Sequence, residues 1–267
     1  MFGLTLCACL LLSANPERST KACAHRGDSK AAPENTLPAI ASAVKKGAPQ
    51  IEFDVHLTRD GKLVIIHDAT VNRTTNGKGT VSEMTFEEIR KLDAGSWFSP
   101  QFAGTRIPTL EEVIDAIPRA TWANVHLKNA PGVAKAAAKV LREKDRLDHC
   151  FLACTKEQAV EAKSVAPGIK ICNMSRQIGF PGRYVPETIA AKAEFIQLHA
   201  GSWLGTLPDN VAELHRHGVT VNYFGAQEEK LIKKLAAAGV DYILTDDLDL
   251  CQRVLAESER DRNVDVK

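Results

Sequence analysis

The chain has 267 residues, 44% hydrophobic and 25% charged, the balance of an ordinary globular protein rather than a disordered or collagen-like one. Lys and Arg number 34 against 33 Asp and Glu, a formal charge of +1, so there is no broad basic field to hold a nucleic acid backbone. The only long apolar run, Leu4 to Leu12, is too short to cross a bilayer as a helix, so a soluble protein without stable membrane insertion is expected.

The N-terminal stretch Met1 to Ala14 is apolar up to Leu12-Ser13-Ala14 and turns polar at Asn15-Pro16-Glu17-Arg18. It resembles the apolar region and cleavage site of a secretory signal, without the cationic start. Residues 1–18 are therefore set apart as a signal-like leader, which implies a secreted or periplasmic protein. A truncated signal, a misassigned start codon or a frayed apolar tail are the alternatives, and with them a cytoplasmic location. Two of the seven cysteines, Cys7 and Cys9, fall in this leader. The others are Cys23, Cys150, Cys154, Cys172 and Cys251, with no close CxxC pair. If Cys150 and Cys154 share a strand, four steps of roughly 3.3 Å part them by about 13 Å. A disulfide needs alpha carbons within about 7 Å, so buried free thiols are expected.

Beyond the leader, short apolar runs alternate with longer amphipathic ones. Strands are predicted at Lys21–His25, Gln50–His56, Lys62–Ile66, Trp122–Leu127, Cys150–Cys154, Ile169–Asn173, Phe195–Leu198, Val219–Tyr223 and Tyr242–Thr245. Helices are predicted at Thr36–Lys46, Thr85–Leu92, Leu110–Ile117, Gly132–Lys144, Lys156–Val165, Pro186–Lys192, Pro208–His217 and Gln227–Ala238. Asn35 is the expected N-cap of the first helix and Gly47 its stop. The link Leu57-Thr58-Arg59-Asp60-Gly61 is too short for a helical crossover, so the strands on either side of it form an antiparallel hairpin turned at Asp60-Gly61. Eight strands remain, mostly separated by helices. This is the pattern of an α/β protein, a (β/α)8 TIM barrel with a β-hairpin excursion after the second strand; a doubly wound open sheet is the alternative. One barrel domain over 19–258 and a charged, frayed tail over 259–267 complete the organisation.

In such a barrel the chemistry gathers where strands end. Those ends carry His25-Arg26-Gly27, Glu52-Phe53-Asp54, His67-Asp68 and His126-Leu127-Lys128. Glu52 and Asp54 leave the same face of one strand. Neighbouring carboxylates repel unless a cation bridges them or one is protonated, and a hard divalent ion would resolve the conflict. Solvation on an exposed edge is the competing explanation, weakened by the apolar opposite face of Ile51, Phe53 and Val55. His25 and His67 suit an acid and a base near neutral pH. Arg26 offers a planar donor fork and Lys128 a point charge for a phosphate oxygen; a salt bridge and plain solvation are their ordinary alternatives.

These residues carry a resemblance. Ala24-His25-Arg26-Gly27, Pro33-Glu34-Asn35-Thr36, Glu52-Phe53-Asp54-Val55, Thr58-Arg59-Asp60-Gly61, His67-Asp68 with Arg73-Thr74-Thr75-Asn76-Gly77, and later Gly95-Ser96-Trp97-Phe98, Ile107-Pro108-Thr109-Leu110-Glu111-Glu112 and Gly239 to Asp246 resemble the glycerophosphodiester phosphodiesterase family. The resemblance spans about Ala22 to Asp249 and is densest in the first half. It implies a barrel enzyme that hydrolyses glycerophosphodiesters to glycerol phosphate and an alcohol with a divalent metal ion, Mg²⁺ or Ca²⁺. It also implies that His25 and His67 are general acid and base, that Glu52 and Asp54 are metal ligands and that Arg26 holds phosphate. The partner is then a small-molecule glycerophosphodiester and not a nucleic acid; oligomeric state is not legible.

Two departures stand out. The family's fourth strand ends in Glu-x-Lys, the glutamate being a metal ligand, whereas this chain has His126-Leu127-Lys128. A Trp-Thr-Val-Asn run is replaced by Phe224-Gly225-Ala226-Gln227, leaving at best a phenylalanine against the substrate. With His126 as third ligand, the site loses a negative charge and gains a nitrogen donor, which suits Zn²⁺, Mn²⁺ or Fe²⁺. Use of a transition metal, a weaker hard-metal site and loss of the metal all remain open. A phosphate-binding pseudoenzyme or a phospholipase-type relative are the functional alternatives.

Overall fold

The computed structural model describes residues 18–128, 130–175, 181–199 and 205–265. The signal-like leader, with Cys7 and Cys9, lies outside the described residues apart from Arg18.

Among the described residues nine strands form one sheet: β1 (Lys21–Ala24), β2 (Gln50–Leu57), β3 (Leu63–Ile65), β4 (Trp122–Leu127), β5 (Cys150–Cys154), β6 (Lys170–Asn173), β7 (Phe195–His199), β8 (Thr220–Phe224) and β9 (Tyr242–Thr245). The order β1-β9-β8-β7-β6-β5-β4-β2 closes through a β1–β2 pairing, and every pairing in that ring is parallel. The result is an eight-stranded (β/α)8 barrel, and ring closure excludes the open sheet. β3 hangs antiparallel on β2, with Val55 opposite Ile65 and Leu57 opposite Leu63. Its turn is held by Thr58, whose hydroxyl donates to Asp60 and accepts from the Lys62 amide, with Gly61 at φ 80°.

The helices are α1 (Leu37–Lys45), α2 (Phe86–Arg90), α3 (Leu110–Ala116), α4 (Val133–Glu143), α5 (Lys156–Val165), α6 (Pro181–Ala190), α7 (Leu207–Arg216), α8 (Glu229–Ala237) and α9 (Leu248–Asp265). Thr85 with Glu88, Thr109 with Glu112 and Thr155 with Gln158 form reciprocal capping boxes that start α2, α3 and α5. β2 is buried on both faces. Ile51, Phe53 and Val55 pack in the shell between barrel and helices, while Gln50, Glu52 and Asp54 face the lumen, all at 2% exposure or less.

Three local expectations change. The N-cap of α1 is Thr36, without a side-chain cap bond, and Asn35 sits at φ 59° with its amide turned elsewhere. α6 starts at Pro181, with Pro186 inside it; a proline read as a helix start occupies an interior position and removes one ladder bond. The C-terminal segment is helical to Asp265 rather than frayed from residue 259. Leu248, Cys251, Val254 and Leu255 are buried, an i, i+3, i+6, i+7 stripe that docks the helix. Among the described residues no helix is long and apolar enough to cross a membrane. Cys23, Cys150, Cys154, Cys172 and Cys251 are buried free thiols.

Candidate active site

All seven site residues singled out in the sequence lie at strand ends or on the hairpin's return, and four of them, His25, Arg26, His126 and Lys128, converge directly on two others, the buried carboxylates Glu52 and Asp54. Parallel pairing sets Asp54 of β2 opposite His126 of β4, and Lys128 follows β4 with its amide donating to the Val55 carbonyl. His126 Nδ1 lies 3.2 Å from Asp54 Oδ1 and 3.5 Å from Glu52 Oε1. Lys128 Nζ lies 2.8 Å from the same Asp54 oxygen. From β1, His25 places Nε2 3.8 Å from Glu52 Oε2. The Arg26 amide donates to Glu52 Oε2 at 3.0 Å, while its Nε stands 3.5 Å from Asp54 Oδ2.

Arg26 takes a left-handed backbone, φ 57°, and Gly27 follows at 77°. This tight turn lets the Gly27 amide reach the Glu52 carbonyl and the Asn35 amide reach the Arg26 carbonyl. The loop so closed returns Asn35 to the site. Its Nδ2 donates to Asp54 Oδ2 at 2.8 Å and its Oδ1 accepts from the Asp54 amide at 3.1 Å.

Both histidines are backed by aspartates. His25 Nδ1 is 2.6 Å from Asp246 Oδ1, and Gln227 donates to the other Asp246 oxygen. His67 Nδ1 is 2.8 Å from Asp68 Oδ1, which Arg73 also grips. The His67 carbonyl accepts from His56 Nε2 at 3.1 Å, which fixes the end of the hairpin's return. Phe224 packs on the His25 ring with centroids 4.8 Å apart.

The electrostatics follow from these contacts. Burial opposes charging of His25, but the Glu52 carboxylate and the Asp246 bond outweigh it and raise its pKa. His126 behaves likewise: burial is overcome by Asp54 and Glu52, and its pKa rises. Burial would raise Asp54, yet His126 and Lys128 hold it well below the usual carboxylate range. Arg73 does the same for Asp68, and the His25 bond lowers Asp246. The ordinary value of His56 is lowered by burial and by the Lys128 charge.

The group fits a divalent cation. One ligand atom each from Glu52, Asp54 and His126 lie within 4.8 Å of one another. Asp54 Oδ1 is buried and makes no hydrogen bond of regular geometry, although Lys128 Nζ stands 2.8 Å and His126 Nδ1 3.2 Å from it. Two buried carboxylates side by side call for positive charge; Lys128 supplies one such charge, and the Glu52, Asp54 and His126 ligand atoms offer a place for a second.

The comparisons with known proteins decide the family. The Glycerophosphoryl diester phosphodiesterase family model matches residues 25–250. The chain belongs to this family. Among its relatives, a glycerophosphodiester phosphodiesterase of Caldanaerobacter subterraneus is 38% identical over 230 residues, 84% of this chain and 93% of that protein. A crystal structure of a glycerophosphodiester phosphodiesterase from Agrobacterium tumefaciens superposes with a TM-score of 0.76 at 29% identity, covering 88% of this chain and 99% of the other. An Oleispira antarctica phosphodiesterase, solved in complex with the product sn-glycerol-3-phosphate, gives 0.77 at 27% identity, covering 89% and 97%.

Within this family member, sequence reasoning missed the supporting residues. Glu34, Asn35, Arg73 and Asp246 all lie in motifs that carried the resemblance, but motif membership does not say which side chain turns inward. His56 had a usable signal: it continues the Glu52, Asp54 alternation on β2.

Proposed function

We propose that this chain hydrolyses glycerophosphodiesters to glycerol phosphate and an alcohol, with a divalent cation held by Glu52, Asp54 and His126 and with His25 and His67 exchanging protons. The observation that carries this reading is the convergence of one ligand atom each from Glu52, Asp54 and His126 within 4.8 Å of one another, flanked by the His25-Arg26 turn. When bound, the cation supplies positive charge to a phosphate oxygen.

The chain's own residues do the rest. Arg26 spends one Nη1–H on Glu34 and has no partner for Nη2 among the described residues, so that nitrogen is free to donate to phosphate. Lys128 adds a point charge beside Asp54, and together they stabilise the charge that builds on phosphorus. Asp246 and Asp68 are held ionised and can only accept, so Nδ1 of each histidine carries the proton and Nε2 is the nitrogen left for chemistry. One imidazole takes the nucleophile's proton; the other protonates the departing alcohol oxygen. Phe224 shields the His25 ring on one side.

Mg²⁺ and Ca²⁺ prefer all-oxygen sites, whereas an imidazole beside two carboxylates suits Mn²⁺, Zn²⁺ or Fe²⁺. The test is an assay of metal-stripped protein on glycerophosphocholine with Mg²⁺, Ca²⁺, Mn²⁺ and Zn²⁺ in turn. Turnover restored best by Mn²⁺ or Zn²⁺ supports the reading, and His126→Glu should shift the preference toward Mg²⁺ and Ca²⁺. Silence of the wild type with every ion would overturn it.

A further inference from the structure

Glu34 is not among the groups that face the reacting phosphate in the proposed function, yet its carboxylate accepts three hydrogen bonds from two arginines. Oε1 accepts from Arg26 Nη1 at 2.8 Å and from Arg73 Nη2 at 2.8 Å, and Oε2 accepts from Arg73 Nη1 at 2.9 Å. Arg73 turns its other edge to Asp68, with Nε 2.7 Å from Oδ2 and Nη2 3.0 Å from Oδ1. That same Asp68 Oδ1 holds His67 Nδ1. A continuous line of charge-assisted bonds therefore runs from Arg26 through Glu34, Arg73 and Asp68 to His67.

The geometry suits transmission of position rather than chemistry. Each carboxylate–Arg73 contact is a two-point fork, which fixes orientation as well as distance. The Glu34 side chain is 13% exposed and that of Arg26 18%, so solvent competes weakly for either. Burial resists ionisation of Glu34, but Arg73 and Arg26 overcome it and keep the carboxyl charged. Glu34 is anchored from its own backbone as well. Its neighbour Asn35 is pinned to Asp54 by two side-chain bonds and to the Arg26 carbonyl by its amide.

We infer that Glu34 is a positioning residue that couples the phosphate-binding Arg26 to the proton-transferring His67, by holding Arg26 directly and His67 through Arg73 and Asp68. The inference rests on the proposed function, because it assigns those roles to Arg26 and His67. It goes further in stating that the two are set by one shared carboxylate, so a change at Glu34 moves both ends. A role confined to Arg26 would weaken substrate binding alone. A merely structural role would lower the amount of folded protein and leave kcat of the remainder intact.

The experiment compares wild type, Glu34→Gln, Arg73→Lys and the double variant. It measures kcat and KM on glycerophosphocholine and the ¹⁵N signals of the His67 ring, assigned with His67→Asn. Glu34→Gln keeps size and one acceptor but replaces the other oxygen by a donor that faces an arginine. The inference predicts that it raises KM, lowers kcat at least about tenfold and shifts the His67 ring signals. It also predicts that the double variant is no worse than the poorer single one, because both break one line. A rise in KM with kcat and His67 signals unchanged, or fully multiplicative losses in the double variant, would overturn it. If the wild type shows no turnover, the proposed function fails and the His67 signals decide the coupling by themselves: shifted by Glu34→Gln, it stands; unshifted, it falls.

Discussion

Asn35 holds Asp54 from two directions, its Nδ2 donating to Oδ2 at 2.8 Å and its Oδ1 accepting from the Asp54 amide at 3.1 Å. One amide thus fixes both the backbone and one oxygen of the candidate metal ligand, and leaves Oδ1 on the side of Lys128 and His126. Second-layer partners of this kind commonly matter by about 10–100-fold in metal affinity. Asn35→Leu should weaken Mn²⁺ binding by about that factor, read by calorimetric titration of the stripped protein. An affinity within about twofold of wild type would contradict the role given to Asn35.

Gly27 stands at φ 77°, and a Cβ there would come within 2.7 Å of the Ala39 carbonyl carbon in α1. The obstacle is helix backbone, which has no rotamer to change. Gly27→Ala should lower stability by about 1–3 kcal/mol and shift the neighbouring His25-Arg26 pair, giving a lower urea midpoint and a loss of turnover. A stability change below about 0.5 kcal/mol, ordinary for a surface substitution, would show that the turn is not as tight as described.

How much of this was legible depends on the kind of signal. The eight barrel strands and the hairpin follow from local apolar runs and from a five-residue link that permits only one topology, and the structure reproduces them. The ends of α6 and α9 do not. Pro186 lies inside α6 because tertiary packing tolerates a proline that local rules place at a helix start. The stripe of Leu248, Cys251, Val254 and Leu255 is legible in the sequence, but the charged residues after it have the composition of a solvated tail. In the site, Glu52, Asp54 and His126 could be grouped from alternation on β2 and from strand ends. Asn35 shows the limit. Local chemistry makes it a helix cap, and only the folded loop reveals that Asp54 offers its amide both a donor and an acceptor.

Acid should loosen the loop beyond α2. Asp93 accepts from the amides of Gly95, Ser96 and Gly104 and from the Ser96 hydroxyl, and these bonds hold its pKa well below the ordinary aspartate value. A depressed folded-state pKa adds stability that is complete above the unfolded value and fades as pH falls toward the folded one. The urea midpoint should therefore decline between about pH 5 and pH 2, and Asp93→Asn should flatten part of that decline by lowering the upper plateau. Parallel curves for the two proteins over that range would refute the contribution.

The thiols offer a test of burial. Burial pushes Cys150 up to about 11 and Cys154 and Cys251 up to about 12, while Cys23 and Cys172 also lie well above the ordinary value. The thiolate is the reactive form, so these five should resist a disulfide-exchange reagent at about pH 8 in the native protein and react together on unfolding. Rapid modification of any of them under native conditions, located by peptide mapping, would contradict the packing around it.

The most direct test of the proposed hydrolysis is ³¹P NMR of glycerophosphocholine incubated with metal-stripped protein, with and without added Mn²⁺, and again with His25→Ala and His67→Ala. The account predicts that the diester signal converts to that of glycerol phosphate only when wild-type protein and the cation are both present. It also predicts that either histidine variant slows conversion by at least about 10²-fold. Conversion by His25→Ala at the wild-type rate, or no conversion by wild type with any divalent ion, would contradict it.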